Sequence, residues 1–474
     1  MSRDVSRRTF SSGVLQATVA GLLPGCGRAA EAQPRDAAPE PARAPEPARA
    51  PEPARAPEPA RAPEPGSAIE VIDPEPTPPT TIAPGRPPEL DGEFPDWTLG
   101  DASASTHTML MFRGNPAHSV SGVGTLAAQP ELLWRKRLGD YHGTRADGTV
   151  FRWAGTGWTG QPVRWGSRIY VGAVDAKFYC FDADTGEQKW SFDEGGMYKS
   201  SCCFYAGRIY VGNVDNRIRC LDARDGSLVW SYNTGRDCDS SPCVSGGRLY
   251  IGGEDGKLKC LEPADGALHW ELPLGEGIGA PRGSGGIESS PAVADGEVYV
   301  GHYDGYLICV DANTGEQRWR ATTGGDTDVS PVVVGDLVYV AAETGSPFLR
   351  AFDRSKRGAL VWEFESWRGF WSTPAVLGDR LYIGGHDGVM YCLAATTGAV
   401  IWTFAAQASI WCSPVLVDGK LAFGSHDPFF YLLDAETGAL LWKHEIGGRT
   451  HSTPCVVDAK IHVGSTNGYF HCFG

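Results

Sequence analysis

The chain has 474 residues, 42 Lys+Arg against 57 Asp+Glu, and a formal net charge of −15. That balance removes the electrostatic basis for binding nucleic acid or an anionic membrane surface. With 61 Gly, 34 Pro and 15 Trp the composition suits a turn-rich all-β protein, and the length admits two or three average domains or one large β architecture.

Residues 1–26 read as a targeting segment. Arg7 and Arg8, in "SRRTF", precede the weakly apolar run "GVLQATVAGLLPG", which resembles a twin-arginine export signal. The run is too short and too polar to span a bilayer. It ends in "LLPGC", which resembles a bacterial lipobox and implies a lipid on Cys26. Pro24 stands where that pattern has a small or aliphatic residue, so a soluble exported protein cleaved elsewhere is the alternative. The expected relation to the membrane is anchoring, in the periplasm or at the outer membrane, and not spanning. Residues 27–94 form a linker with "PEPARA" four times from Pro39 to Ala62. Its prolines favour an extended, semi-rigid spacer with little apolar surface to bury.

Residues 95–474 are expected to form the globular part, and from about residue 131 the chain repeats. Trp134, Trp190, Trp230, Trp270, Trp319, Trp362, Trp402 and Trp442 close eight copies, most of them 40 residues apart. The steps Trp134–Trp190 and Trp270–Trp319 are longer, the second by "GEGIGAPRGSGG". Each copy divides into four short strands: one after "S-x-P", one of the type "RIYVG", one of the type "LYCLDA" and one ending in Trp. Asp-Gly and Thr-Gly turns, such as Asp255-Gly256 and Asp387-Gly388, supply the positive φ of tight hairpins. This period predicts an eight-bladed β-propeller of four-stranded antiparallel blades. The last copy stops after its third strand, and "ELLWRKRL" (131–138) is a fourth strand without a blade. The N-terminal strand is therefore expected to complete the C-terminal blade.

The pattern Y-V-G-x-x-D-G-x-L-Y-C-L-D-A-x-T-G-x-x-x-W, with the lead-in "MFRGNP" (111–116), resembles the repeat of the PQQ-like propeller superfamily. The resemblance covers about residues 108–474 and implies the fold, not an activity. It brings quinoprotein dehydrogenases, which use PQQ and calcium, and the non-catalytic lipoprotein of the outer-membrane barrel-assembly machinery, along with propellers that act as binding platforms.

Cys202 and Cys203 lie side by side, and quinoprotein dehydrogenases place a vicinal disulfide against PQQ. Register points the other way here. Cys203 shares a column with Cys243 and Cys455, and Cys202 replaces the usual proline. Cys180, Cys220, Cys260, Cys309, Cys392 and Cys472 share another column, held by Ala351 and Leu432 in the remaining blades. Columns that accept Ala or Val are small apolar slots, and equivalent positions in different blades are too far apart to bridge. No P-loop, HExxH, CxxC or GxSxG motif occurs, and the blades lack the long insertions of the quinoprotein enzymes.

Three residues before the "S-x-P" proline each blade offers one side chain to the channel rim: Thr159, Lys199, Asp239, Glu288, Asp328, Trp371, Trp411 and His451. Acids in three consecutive blades face aromatic groups in the next three, an arrangement suited to a cation, a sugar, a basic peptide or a cofactor. The bland alternative is a solvated polar rim. The preferred expectation is a non-enzymatic, monomeric, lipid-anchored scaffold with an envelope protein partner, no cofactor, no catalytic residue and no metal. A PQQ- and calcium-dependent oxidoreductase and a carbohydrate-binding module are the alternatives.

Overall fold

The computed structural model describes residues 108–144, 150–156, 160–274 and 286–474. The sheets form eight blades around a central channel. Blade 1 runs outward through Val163–Trp165, Arg168–Gly172, Phe178–Asp182 and Gln188–Phe192, with Thr108–Met109 added on its inner edge. Blades 2 to 7 repeat the four-stranded order, with inner strands Cys203–Tyr205, Cys243–Ser245, Ala292–Ala294, Val332–Val334, Ala375–Leu377 and Val415–Val417. Blade 8 has Cys455–Val457, Lys460–Gly464 and Tyr469–Phe473 from the C-terminus, and its outer strand is Leu132–Arg137. Trp134 pairs with Cys472 and Arg137 with Tyr469, so the expected ring closure is present. The long Trp134–Trp190 step holds an extra hairpin, Asp140–Thr144 with Val150–Ala154. Most of "GEGIGAPRGSGG", Thr159, the linker, Arg7, Arg8 and Cys26 lie outside the described residues.

The repeated residues staple neighbouring blades. The Trp402 indole donates to the Ala435 carbonyl of the next blade at 3.2 Å, and the Tyr382 hydroxyl donates to the same oxygen at 3.0 Å. Trp190 and Tyr170 share Ala223 in the same way, and Trp230 and Tyr210 share Pro263. The glycine of the Thr-Gly or Asp-Gly turn lies under the tryptophan of the preceding blade. A Cβ on Gly266, whose φ is +76, would stand 2.7 Å from Trp230 Cε3. The turn glycine therefore answers both to backbone conformation and to the flat indole. In blade 5 the short helix Arg354–Lys356 takes the place of this turn, and the Trp319 indole nitrogen has no hydrogen-bond partner.

All twelve described cysteines are buried and unpaired, including Cys202 and Cys203. Cys203 packs in one apolar cluster with Cys220, Cys243 and Cys260, and Cys202 packs in another with Tyr170 and Phe204. No helix among the described residues is long and apolar enough to cross a membrane.

Candidate functional site: a cup at the channel mouth

The channel has two different ends. At the end where the inner strands begin, the upper face, the rim residues converge. From the other end the lead-in, residues 108–126, threads the channel and touches all eight blades. Its Leu110, Pro116 and Ala117 carbonyls accept from Phe204, Val293 and Val333, and its Gly122 and Val123 amides donate to Leu416 and Val456. Pro116 also meets Cys243, and Thr108 pairs with Trp165. Arg113, only 1% exposed, donates to the carbonyls of Pro374 and Pro414, and His118 bonds the Pro331 carbonyl at 2.9 Å. Burial pushes the Arg113 guanidinium down to about 9, so it remains charged at neutral pH. The lead-in closes the channel below the rim and turns a tunnel into a cup.

The "S-x-P" signature sets the depth of each rim side chain. Backbone amides donate from blade to blade: Ser201 to Ser241 Oγ at 3.0 Å, Ser241 to Ser290 at 3.1 Å, Ser290 to Ser330 at 2.9 Å and Thr373 to Ser413 at 2.9 Å. In six of the described positions the residue just before the rim residue packs against the glycine of the "YVG" type. A Cβ on Gly384 would stand 2.2 Å from Ile410, and one on Gly424 equally close to Thr450. The residue just after it often bonds the second strand, as Ser240 Oγ does with the Gly252 amide at 3.2 Å. With both neighbours held in the blade, extended backbone alternation turns the rim residue toward the channel.

Seven of the eight rim positions are described, and they fall into two arcs. On the acidic side Lys199 Nζ lies 2.6 Å from Asp239 Oδ2. Asp239 and Glu288 are joined by Glu254, their oxygens within 4.8 Å of one another, and Asp328 is joined by Asp326 and Glu343 within the same limit. Burial pushes the Asp239 carboxyl up to about 6 against the pull of Lys199, with Glu288 adding to the rise. Burial, Glu288, Asp326 and Glu343 push the Asp328 carboxyl well up. Burial opposes the charge on Lys199, but Asp239 and Glu288 outweigh it and hold the ammonium protonated.

On the aromatic side Trp371 and Trp411 meet edge-on with ring centroids 4.0 Å apart. Trp411 also packs against His426 at 4.0 Å and His451 at 4.9 Å, and His386 lies 5.3 Å from Trp371. Burial holds His386 and His451 down to about 4 and His426 to about 2, so this arc is neutral at pH 7.

Glu254, Glu343, His386 and His426 belong to a second column that the "S-x-P" offset does not reach. It is the residue just before the turn that joins the second and third strands. Backbone bonds tie it to the loop feeding the inner strand: Glu254 N to Asp237 O at 3.0 Å, Glu343 N to Asp326 O at 2.8 Å, His386 N to Gly369 O at 3.1 Å. The column reads Val174, Val214, Glu254, Tyr303, Glu343, His386, His426 and Thr466, and this change of chemistry beside an invariant framework is the signal that finds it.

Two surface grooves open on the propeller, one on each face. One of about 400 Å³ adjoins the cup on the upper face, lined by Glu343, Trp367, Arg368 and His386, and Trp367 is 87% exposed. A larger one, about 680 Å³, lies between blades 4 and 5 on the lower face. Its walls are tied by ion pairs from Arg318 to Glu297 at 2.8 Å and from Arg354 to Asp295, so its charges are already matched within the protein.

Comparison with known proteins agrees with this geometry. BamB from Moraxella catarrhalis is 18% identical, with a TM-score of 0.55 over 72% of this chain and 97% of that one. The quinohemoprotein alcohol dehydrogenase from Comamonas testosteroni is 14% identical, with a TM-score of 0.65 over 79% and 81%. A europium-containing methanol dehydrogenase is 15% identical, with a TM-score of 0.60 over 78% and 92%. At these identities the likeness is one of fold. No curated protein matches the sequence. The sequence model of the family described as outer membrane protein assembly factor BamB matches residues 121–356 and 348–469, most of the chain, and the protein belongs to that family.

Proposed function

We propose that the chain is a non-enzymatic propeller, lipid-anchored through Cys26 on the extracytoplasmic side of a bacterial envelope, and that it serves as a protein-binding scaffold in outer-membrane protein assembly. The observation that carries this reading is the closed cup. The eight blades repeat in packing, while the side chains at the cup differ from blade to blade. Binding surfaces are where a repeat protein departs from its own repeat. The paired arginines, Cys26 and the Pro-rich spacer support display of the propeller at a distance from a lipid anchor. The test is twofold. Labelling with a radioactive fatty acid should mark the chain and not the Cys26→Ala variant. A photo-crosslinking amino acid placed at Trp367, beside the cup, should capture a defined envelope protein, and capture should fall in the Asp239→Ala/Glu288→Ala/Trp371→Ala variant. Labelling without any rim-dependent adduct would refute the scaffold role.

The second reading, a PQQ- and calcium-dependent oxidoreductase, is favoured by the acidic clusters, which offer hard oxygen ligands. The residues present suit PQQ poorly. An anionic planar quinone needs a flat slot and cationic donors. Here the Trp371–Trp411 pair is edge-on at 60°, and the Lys199 ammonium is taken by Asp239. Cys202 and Cys203 are buried in blade packing. A quinone absorption band after incubation with PQQ and Ca²⁺, with dye-linked alcohol oxidation, would reverse this judgement. The third reading, glycan binding at Trp371 and Trp411, predicts a change in tryptophan fluorescence with added oligosaccharides.

A further inference from the structure

The groove of about 400 Å³ on the upper face carries a loop that departs from the repeat. Four residues before the rim position the chain has Gly155, Gly195, Gly235, Gly324 and Gly447, all with φ between +81 and +101. Blade 6 places Trp367 there. It is 87% exposed, and it is the only exposed tryptophan among the described residues. The exposure does not come from a loose loop. Ser366 Oγ donates to the Arg368 carbonyl. Phe370 is fully buried, and its amide donates to the Ala342 carbonyl of blade 5 at 3.0 Å. A Cβ on Gly369 would collide with the Glu343 carbonyl, so the chain is pressed onto blade 5 at that point. Trp367 and Arg368 stand between these pins, with Phe348 and His386 beside them in the groove. Among the described residues the Arg368 guanidinium makes no hydrogen bond and no ion pair. Its charge reaches His386 and adds to the burial that holds that ring neutral.

We propose that this loop anchors a protein interface and that the partner presents an acidic segment, with an aspartate or glutamate carboxylate on Arg368 and a neighbouring apolar side chain laid on Trp367 and Phe348. The proposal rests on the scaffold reading and deepens it by naming the partner's chemistry. Tryptophan and arginine are the residues that most often carry binding energy at protein interfaces. A loop already pinned gives up little freedom on docking. Charge complementarity sets the sign of the partner. Glu343, in the groove wall, converges with Asp326 and Asp328, and Glu365, three residues before Arg368, accepts from Ser346 Oγ at 2.8 Å. Arg368 is left to take an outside carboxylate, and a guanidinium fork takes one through two parallel bonds. A basic segment would meet Arg368 as a like charge. A neutral glycan would stack on Trp367 and leave the guanidinium without a carboxylate.

The test is fluorine NMR of the full-length chain labelled with 5-fluorotryptophan, the Trp367 signal being the one that disappears in Trp367→Phe. Four probes are titrated at low salt: capped Gly-Phe-Asp-Gly, Gly-Phe-Asn-Gly and Gly-Phe-Lys-Gly peptides, and maltohexaose. The Asp peptide is expected to move the Trp367 signal saturably and to bind more tightly than the Asn and Lys peptides. Its affinity should fall about tenfold or more in Arg368→Gln, as the loss of a charge-assisted bond predicts, and Arg368→Lys should recover only part of it because the fork is lost. The proposal is overturned if the Asp peptide gives no saturable shift, or if the Asn or Lys peptide binds as tightly. It is also overturned if Arg368→Gln, with unchanged circular dichroism, binds the Asp peptide as well as the parent does, or if maltohexaose moves the signal while the peptides do not. Envelope adducts from the crosslinker at Trp367 that persist undiminished in Arg368→Gln would leave the scaffold reading standing and remove this one. Charge-selective peptide binding without any envelope adduct would do the reverse.

Discussion

Lys199 of one blade and Asp239 of the next form an ion pair at 2.6 Å across the channel rim, with 18% and 8% of their side chains exposed. The pair stands beside Glu254 and Glu288, so the two partners are not equivalent. Removing the lysine takes its positive charge away from the converging carboxylates. Removing the charge of Asp239 relieves part of their repulsion. Lys199→Met is therefore expected to cost about 3–5 kcal/mol, the usual range for breaking a buried pair, and Asp239→Asn distinctly less. Urea unfolding of the two variants checks the order, and equal losses would contradict it.

The shared carbonyl of Ala435 gives a second prediction. Tyr382 and Trp402 both donate to it, so either Tyr382→Phe or Trp402→Phe leaves one donor in place. Tyr382→Phe should cost about 1 kcal/mol, the net worth of one hydrogen bond, and Trp402→Phe somewhat more because packing is lost as well. The double variant strands a buried carbonyl between blades and should exceed the sum of the two by about 1 kcal/mol or more. A double-mutant cycle in urea measures that coupling, and strict additivity would mean that the two bonds act independently.

Turn glycines separate strain from crowding. Gly246 has φ +56 with open space around its Cβ direction, whereas Gly266 has φ +76 and Trp230 at 2.7 Å. Gly246→Ala should cost about 1–2 kcal/mol through left-handed backbone alone. Gly266→Ala should cost about 1–3 kcal/mol more, because the neighbouring indole must shift. Comparison of their unfolding midpoints decides whether the turn is selected by its backbone or by the tryptophan above it.

The blades, their number and the ring closure are legible in the sequence because each rests on a local pattern that recurs from blade to blade, such as Trp402 with Gly438 or Tyr382 with the "DA" of the following blade. The first rim column is legible for the same reason, since the "S-x-P" belt counts off its offset. The lead-in plug is not legible. Arg113, Pro116 and Val123 repeat nothing, and they bind mostly main-chain atoms of the inner strands, which leave no side-chain signature. Two acids of the arc, Glu254 and Glu343, escape as well. Those residues reach the cup from the turn between the second and third strands, so proximity to Asp239 and Asp328 comes from folding back and not from sequence spacing.

The cysteine columns make a chemical prediction. Burial pushes the thiols of Cys203, Cys220, Cys260, Cys412 and Cys455 up to about 12 and that of Cys392 to about 11, far above the range in which thiolates react. In the folded protein a thiol reagent at pH 8 should label almost none of the twelve described cysteines. In denaturant it should label all twelve, and Cys26 as well where that thiol carries no lipid, counted by the mass increase. A denatured protein in which Cys202 and Cys203 stay unlabelled until it is reduced would instead carry a disulfide between them.

Six histidines are held neutral by burial: His118, His386, His451 and His471 at about 4, His462 at about 3 and His426 at about 2. In the unfolded chain each titrates near 6.5. Between about pH 6.5 and 4 the unfolded state therefore binds more protons than the folded one, and stability falls as the pH drops through that window. A displacement of two to three units is worth about 3–4 kcal/mol for one histidine, so the melting temperature should fall steeply below pH 6. His462 offers the decisive variant. It occupies the position held by Tyr382 in blade 6 and its Nε2 reaches the Ala183 carbonyl at 2.9 Å, as the Tyr382 hydroxyl reaches Ala435. His462→Tyr keeps a donor to that carbonyl and removes one titrating group. Proton uptake on unfolding at pH 5, measured by calorimetry in buffers of different ionisation enthalpy, should fall by about one, with little change in stability at pH 7.5. An unchanged uptake would show that His462 titrates in the folded protein and that its burial does not hold it neutral.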